Sequence, residues 1–331
     1  MTGHARLRPV ALVVLTCLVC AVLAVLDVDG SGTGKASRAD AADVGFGQPV
    51  STVPGTLGSY RVGWRQITFT EPARTGPTGE RLGPRKLLTQ IWLPSGRGLF
   101  PLIVFAPGYQ QCGAPYADLL RAWASAGYVV AVLNFPLSDC LAGTSSTEAD
   151  LVNEPGDISY LITRLLALSA APAGPLARMI NGHEIGVAGH SDGAVAAVAI
   201  TANTCCTDRR IKAAASLSGA TWSAMPGRYF SAHPVPILFT QGSADVINLP
   251  TASLAMYRAD RSRSRSYLDL LGASHIEPYW GTNPVERLLA RVTLAFFDRY
   301  LLGRRSAATM MRHAAAVPGV AVLVSGGRPP P

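Results

Sequence analysis

The stretch HEIGVAGHSDGAVAAVAITAN, residues 183 to 203, joins a short apolar run to an alanine-rich helical run through the pentapeptide Gly189-His190-Ser191-Asp192-Gly193. A strand that must become a helix within so few residues leaves little freedom of fold. Glycines on both flanks allow a close backbone approach that a β-carbon would obstruct, and the middle side chain is thrust out at the strand's end. Gly-x-Ser-x-Gly between a buried strand and a helix is a nucleophile elbow, so Ser191 is the expected nucleophile and a structural turn is the alternative.

Similar alternation runs through the neighbouring chain. YRVGWRQITF and KLLTQIWLP predict an antiparallel pair at one edge, with the turn-rich PARTGPTGERLGP between them. PLIVFAPG and YVVAVLNFP predict buried strands, and PYADLLRAWASAG between them a helix with Tyr116, Leu119, Leu120 and Trp123 on one face. EPGDISYLITRLLAL predicts a helix, followed past the elbow by strands in IKAAASLSGA, VPILFTQG and RSYLDLLGASH, with a helix in TASLAMYR. A last helix is expected between the N-cap Asn283, with Pro284 at its first position, and Gly303 just past its end. Strands alternating with helices predict an α/β domain with a mostly parallel central sheet and helices on both faces. Ligands in such sheets bind beyond the C-terminal ends of the strands, which directs attention to the loops there.

A serine hydroxyl is a weak nucleophile until a base removes its proton. Three histidines follow Ser191, and His275, in the turn after SYLDLLGAS, is the expected base. His233 precedes a strand and His313 belongs to the far C-terminal stretch; His190 is expected to pack or hydrogen-bond within the elbow, and His183 to lie on the surface. Orienting the imidazole requires a carboxylate, and Asp245, after ILFTQG, is placed for it. Asp260 falls in the arginine- and serine-rich connection RADRSRSRS, expected to be solvated, and Asp269 falls in mid-strand. The oxyanion of an acyl-transfer intermediate needs two backbone N–H donors, for which Asp192, after the nucleophile, and Tyr109, in FAPGYQQ, are the candidates.

PLIVFAPGYQ, WASAGYVVAVLNF, IGVAGHSDGA, PILFTQGSADVI and YLDLLGASHIEP, in this order, resemble the α/β-hydrolase superfamily. The similarity is greatest to secreted bacterial cutinases and polyester hydrolases, and extends to the related dienelactone-hydrolase and platelet-activating-factor acetylhydrolase-like esterases. It implies the α/β-hydrolase fold, with Ser191 as nucleophile, Asp245 as acid, His275 as base, and Tyr109 and Asp192 as oxyanion donors. It also implies an aromatic wall of the substrate cleft, which Trp222 in SLSGATW matches. From its own position, the Tyr109 ring is a candidate substrate contact along the acyl side of the cleft, with a packed tyrosine as the alternative. This sequence departs from the polyester hydrolases at Asp192, where they usually carry an apolar residue, and in the added QQC after Tyr109 and DC after NFPLS. About fourteen residues separate Trp222 from the next strand, too few for a large helical lid.

The expected activity is carboxylic-ester hydrolysis through an acyl-enzyme, on small to medium acyl esters, with polyesters as the class the resemblance adds. An acyltransferase of the cell envelope with the same triad, or a catalytically silent membrane-tethered binding module, are the alternatives. No cofactor or metal is required, and a monomer is expected. The net charge of +8 comes mostly from isolated arginines without interleaved aromatics, which argues against a nucleic-acid partner.

Arg6 and Arg8 precede the apolar run Val10 to Leu26, an export segment that is either a cleaved signal peptide, with Ala-Asp-Ala at 39 to 41 as a site, or a membrane anchor. Residues 1–41 are thus assigned to export, 42–56 to a linker, 57–305 to the catalytic domain and 306–331 to a loose tail, in which VPGVAVLV could add a short apolar element. An exported domain suits disulfides. Outside the apolar run lie Cys112, Cys140, Cys205 and Cys206. Cys112 is expected to pair with Cys140, each following one of two adjacent strands, and Cys205 with Cys206, with exchanged partners as the alternative.

Overall fold

The computed structural model describes residues 57–232 and 234–326. The export segment, the linker and His233 lie outside them. The strands are β1 (Val62–Glu71), β2 (Arg74–Thr75), β3 (Arg81–Leu82), β4 (Arg85–Pro94), β5 (Phe100–Ala106), β6 (Val129–Asn134), β7 (Ile180–His190), β8 (Ile211–Leu217), β9 (Ile237–Gly242), β10 (Ser266–Leu270) and β11 (Ala321–Ser325). The helices are α1 (Ala117–Ser125), α2 (Glu154–Ala170), α3 (Asp192–Ala202), α4 (Pro250–Ala259), α5 (Pro284–Tyr300) and α6 (Ala307–Ala315).

Nine of the described strands form one sheet in the order β1-β4-β6-β5-β7-β8-β9-β10-β11. The run from β6 to β10 is parallel, while β1, β4 and β11 pair antiparallel. Alternation along each strand divides the core. Leu102, Val104 and Ala106 of β5 join the cluster under α2, α3 and α4, whereas Ile103 and Phe105 join the one under α1, α5 and α6. Both faces are therefore covered, as the central strands' continuous apolar runs require. The arrangement agrees with the α/β-hydrolase fold that the resemblance implied, and no helix forms between β8 and β9 among the described residues.

Residues from Ser306 onward differ from the loose tail expected of them. Ala307 to Ala315 form α6, which buries Met311 and Ala315, and AVLVS forms β11 against β10, with Leu270 opposite Ala321. The connection after α4 is also less solvated than its arginines suggested: Asp260 is buried and receives the Ser262 N–H at 2.8 Å, and the Arg265 guanidinium stands over the Tyr257 ring. Sulfurs join Cys112 to Cys140 and Cys205 to Cys206.

A buried ionic knot ties β4 to α2 and to the turn ahead of it. Arg85 meets Asp150 at 2.6 Å and Asp157 at 2.6 Å, and Arg74 adds a contact to Asp157 at 2.8 Å. Replacing Arg85 by Met would leave two carboxylates buried with only Arg74 for compensation. A destabilisation of about 3–5 kcal/mol is expected, read as a lower urea midpoint; an unchanged midpoint would contradict the pairing.

Candidate active site

The elbow owes its shape to two places where a side chain cannot fit. A β-carbon on Gly189 would lie 2.0 Å from the Gly193 carbonyl oxygen, and one on Gly193 would lie 2.0 Å from the Ala106 carbonyl oxygen. The chain between them bends with Ser191 at φ 55° and ψ −121°, a strained conformation for a residue with a β-carbon. The Ser191 N–H donates to Leu217 at the end of β8, and its carbonyl accepts the first α3 amides from Ala194 and Val195. Gly193 to Ala202 of α3 are all buried, so the helix that holds the elbow is fixed on every side.

Asp245 and His275 follow the C-terminal ends of the adjacent parallel strands β9 and β10. Nδ1 of His275 lies 2.7 Å from Oδ2 of Asp245. That carboxylate is nearly closed to solvent and fully engaged: Oδ1 accepts the N–H of Ile247 at 2.9 Å and of Asn248 at 3.0 Å, and Oδ2 also accepts Nε2 of Gln241 at 2.8 Å. Burial alone would push the group up, but the hydrogen bonds from His275 and Ile247 outweigh it and hold Asp245 below the usual carboxylate range.

His190 binds these loops together. Its Nε2 lies 2.9 Å from the His275 carbonyl oxygen, and its ring stacks 4.7 Å from the His275 ring. Its Nδ1 lies 2.9 Å from the Tyr116 hydroxyl, which in turn accepts the Gly108 N–H at 3.3 Å. Since a backbone carbonyl can only accept, Nε2 of His190 donates to it, and Nδ1 takes the tyrosine proton. Elbow, His275 loop and Tyr109 loop are thus joined through one neutral imidazole. Burial, followed by the neighbouring His275, pushes His190 down from 6.5 to about 3. Between those values the unfolded chain binds a proton that the folded chain refuses, so stability is expected to fall as pH drops through that window. Comparing melting temperatures at pH 7 and about pH 4.5 should show a smaller loss in His190→Asn than in the parent; equal losses would rule out this role.

The two candidate oxyanion donors lie on either side of Ser191. A β-carbon on Gly108 would lie 3.2 Å from the Ser191 β-carbon, so the Tyr109 loop runs against Ser191. In that loop Gly108 donates to Tyr116, Gln110 to Ser138 and Gln111 to Gly108, while the Tyr109 N–H has no acceptor among the described residues. Asp192 opens α3, where helix geometry leaves its N–H without an internal partner. Two unengaged donors beside the half-buried Ser191 can receive a developing oxyanion.

Ser191, Asp192, Asp245, His275 and Tyr109 all follow the C-terminal ends of parallel strands, on one side of the sheet. Trp222 packs half-buried against the core cluster under α2, α3 and α4, with its indole N–H buried and without a partner among the described residues. His183 and His313 are exposed. Sequence reasoning missed Gln241, whose amide braces Asp245 and whose carbonyl oxygen receives the Ser253 hydroxyl at 2.6 Å. A lone amide at the end of the apolar ILFTQG, four residues before the acid, is the signal that could have found it. Tyr116 was placed on a helix face without its hydrogen bonds to the site.

Among the described residues no group of three or more His, Cys, Asp or Glu could hold a metal ion. A family model described as PETase, PET hydrolase-like, matches residues 89–307, more than half of the chain. No curated protein matches the sequence.

Proposed function

We propose, from the premise that this chain belongs to the PET hydrolase-like family and so is in general a carboxylic-ester hydrolase, that it works as a serine esterase with Ser191, His275 and Asp245 as its triad. The observation that carries this reading is the closed His275–Asp245 pair, held by His190 against the strained elbow of Ser191. Nε2 of His275 takes the Ser191 proton as Oγ bonds to the ester carbonyl carbon, and the negative charge moves onto the carbonyl oxygen between the N–H groups of Tyr109 and Asp192. Collapse of this intermediate expels the alcohol, which leaves with the proton from His275. Water, deprotonated by the same imidazole, then releases the acid and restores the serine.

Small to medium acyl esters are the proposed substrates, since the added residues after Tyr109 and around Cys140 build a rim there, pinned by the Cys112–Cys140 disulfide. The protein is proposed to act outside the membrane, supported by that disulfide and by the arginine-led apolar run at residues 10–26. No helix among the described residues is long and apolar enough to cross a membrane.

Incubation of the full chain with a fluorophosphonate, followed by peptide mass analysis, tests the nucleophile. Loss of hydrolysis of p-nitrophenyl acetate together with an adduct on Ser191 is expected. An adduct elsewhere, or full activity after complete labelling, would overturn the assignment. Adding a simple alcohol during turnover separates hydrolysis from acyl transfer: water is expected to remain the main acceptor.

A further inference from the structure

The carboxylate of Asp245 is met by an amide that the proposed reaction never touches. Gln241 is the fifth residue of β9, and its side chain is sealed from solvent. A buried amide is costly unless its polar atoms find partners. Its Nε2 lies 2.8 Å from Oδ2 of Asp245, 3.0 Å from the Asn248 carbonyl oxygen and 3.3 Å from the Gly242 carbonyl oxygen. An amide oxygen in that place would face three acceptors, so the amide has one orientation, and its two protons serve the two nearer oxygens. Its Oε1 receives the hydroxyl of Ser253 at 2.6 Å. Ser253 is a buried residue of α4, and the Gly219 carbonyl oxygen, 2.9 Å away, shares the same proton.

Asp245 needs that amide because its backbone donors hold only one oxygen. The N–H groups of Ile247 and Asn248 both reach Oδ1, while the torsion that turns an aspartate carboxylate is soft. Oδ2 is therefore free to swing about the Cβ–Cγ bond unless a second group stops it. His275 cannot be that group, since its Nδ1, 2.7 Å away, is what Oδ2 has to be aimed at. Gln241 donates to Oδ2 and to the Asn248 carbonyl together, so the carboxylate and the turn that holds its other oxygen are fixed as one unit. Two further bonds fasten that unit to the residues that follow β8. Asn248 Nδ2 donates to the Ser218 carbonyl at 2.7 Å, and Ser253 reaches Gly219.

Building on the serine-esterase reading above, we propose that Gln241 and Ser253 are positioning residues: the Ser253 hydroxyl sets the Gln241 amide, and the amide aims Oδ2 of Asp245 at His275 while the imidazolium forms. Neither side chain touches the ester. Their effect falls on the step in which His275 carries charge, and therefore on kcat rather than on KM.

Steady-state kinetics on the full chain test this, with p-nitrophenyl acetate as substrate. Rates are counted per site labelled to completion by a fluorophosphonate, so that inactive protein drops out. Gln241→Met keeps the length of the side chain and removes both polar atoms. A fall in kcat of about tenfold, with KM within about twofold of the parent, is expected. Ser253→Ala should lower kcat about threefold in the parent and leave it unchanged in the Gln241→Met background, because the hydroxyl acts through the amide. Two residues that merely pack would give effects that multiply. Multiplying effects, a kcat of Gln241→Met within about twofold of the parent, or a change confined to KM would overturn the proposal. Should Gln241→Met fail to fold, Ser253→Ala decides alone. A fall of about threefold in its kcat at unchanged KM would then support the positioning role, and a kcat equal to the parent's would overturn it. Hydrolysis retained by Ser191→Ala would instead overturn the esterase reading itself.

Discussion

Ser191→Ala is expected to reduce kcat for p-nitrophenyl acetate by about 10⁵- to 10⁶-fold while leaving the protein folded. Removing Oγ deletes the atom that bonds to the acyl carbon and leaves the two N–H donors and the cleft, which account for the residual rate over water. Alanine carries the same backbone requirement as serine at φ 55°, so the elbow's strain is unchanged. The buried α3 behind it keeps its contacts. A melting temperature within a few degrees of the parent, with the rate lost, is the expected pair of results. A rate within tenfold of the parent would remove Ser191 from the chemistry.

Asp245→Asn is the second large effect, a loss of about 10⁴-fold in kcat at neutral pH. The reason lies in the four donors around this carboxylate. Ile247 and Asn248 N–H groups present two donors to one oxygen, and His275 and Gln241 present two to the other. An amide can satisfy the backbone pair with its oxygen only by turning its NH2 toward His275 and Gln241. His275 must then accept at Nδ1 and carry its proton on Nε2, where it cannot take the Ser191 proton. Stability also falls, because the Gln241 amide then faces another donor in a buried site. A variant retaining more than a tenth of parental kcat would show that Asp245 does not set the tautomer.

Much of the candidate site was legible because its residues sit where apolar runs stop. Ser191, Asp245 and His275 each follow a strand run directly, and the parallel sheet carries all three loops to one side. Groups that support them were harder to see. Tyr116 lies on the buried face of its helix region by periodicity alone, and only the tertiary fold brings its hydroxyl to His190. Local sequence pointed to an apolar element near β11 but not to a strand. Its run is short, follows Pro318 and Gly319, and leaves Val322 exposed, so its identity as a strand depends on pairing with β10, some fifty residues earlier. Asp260 misled for a related reason, since the serines and arginines around it suggested water, while the fold covers the carboxyl from above.

That last strand also bears on motion. Because β11 pairs with β10 from Ser266 to Leu270, the strand leading to His275 has a neighbour on each side, as do the strands leading to Ser191 and Asp245. Fraying begins at outer strands, whose amides exchange with solvent first. The outer position falls to β11, so the earliest thermal breathing of this end of the sheet is expected one strand away from His275, which can stay in register with Asp245 while the margin opens and closes.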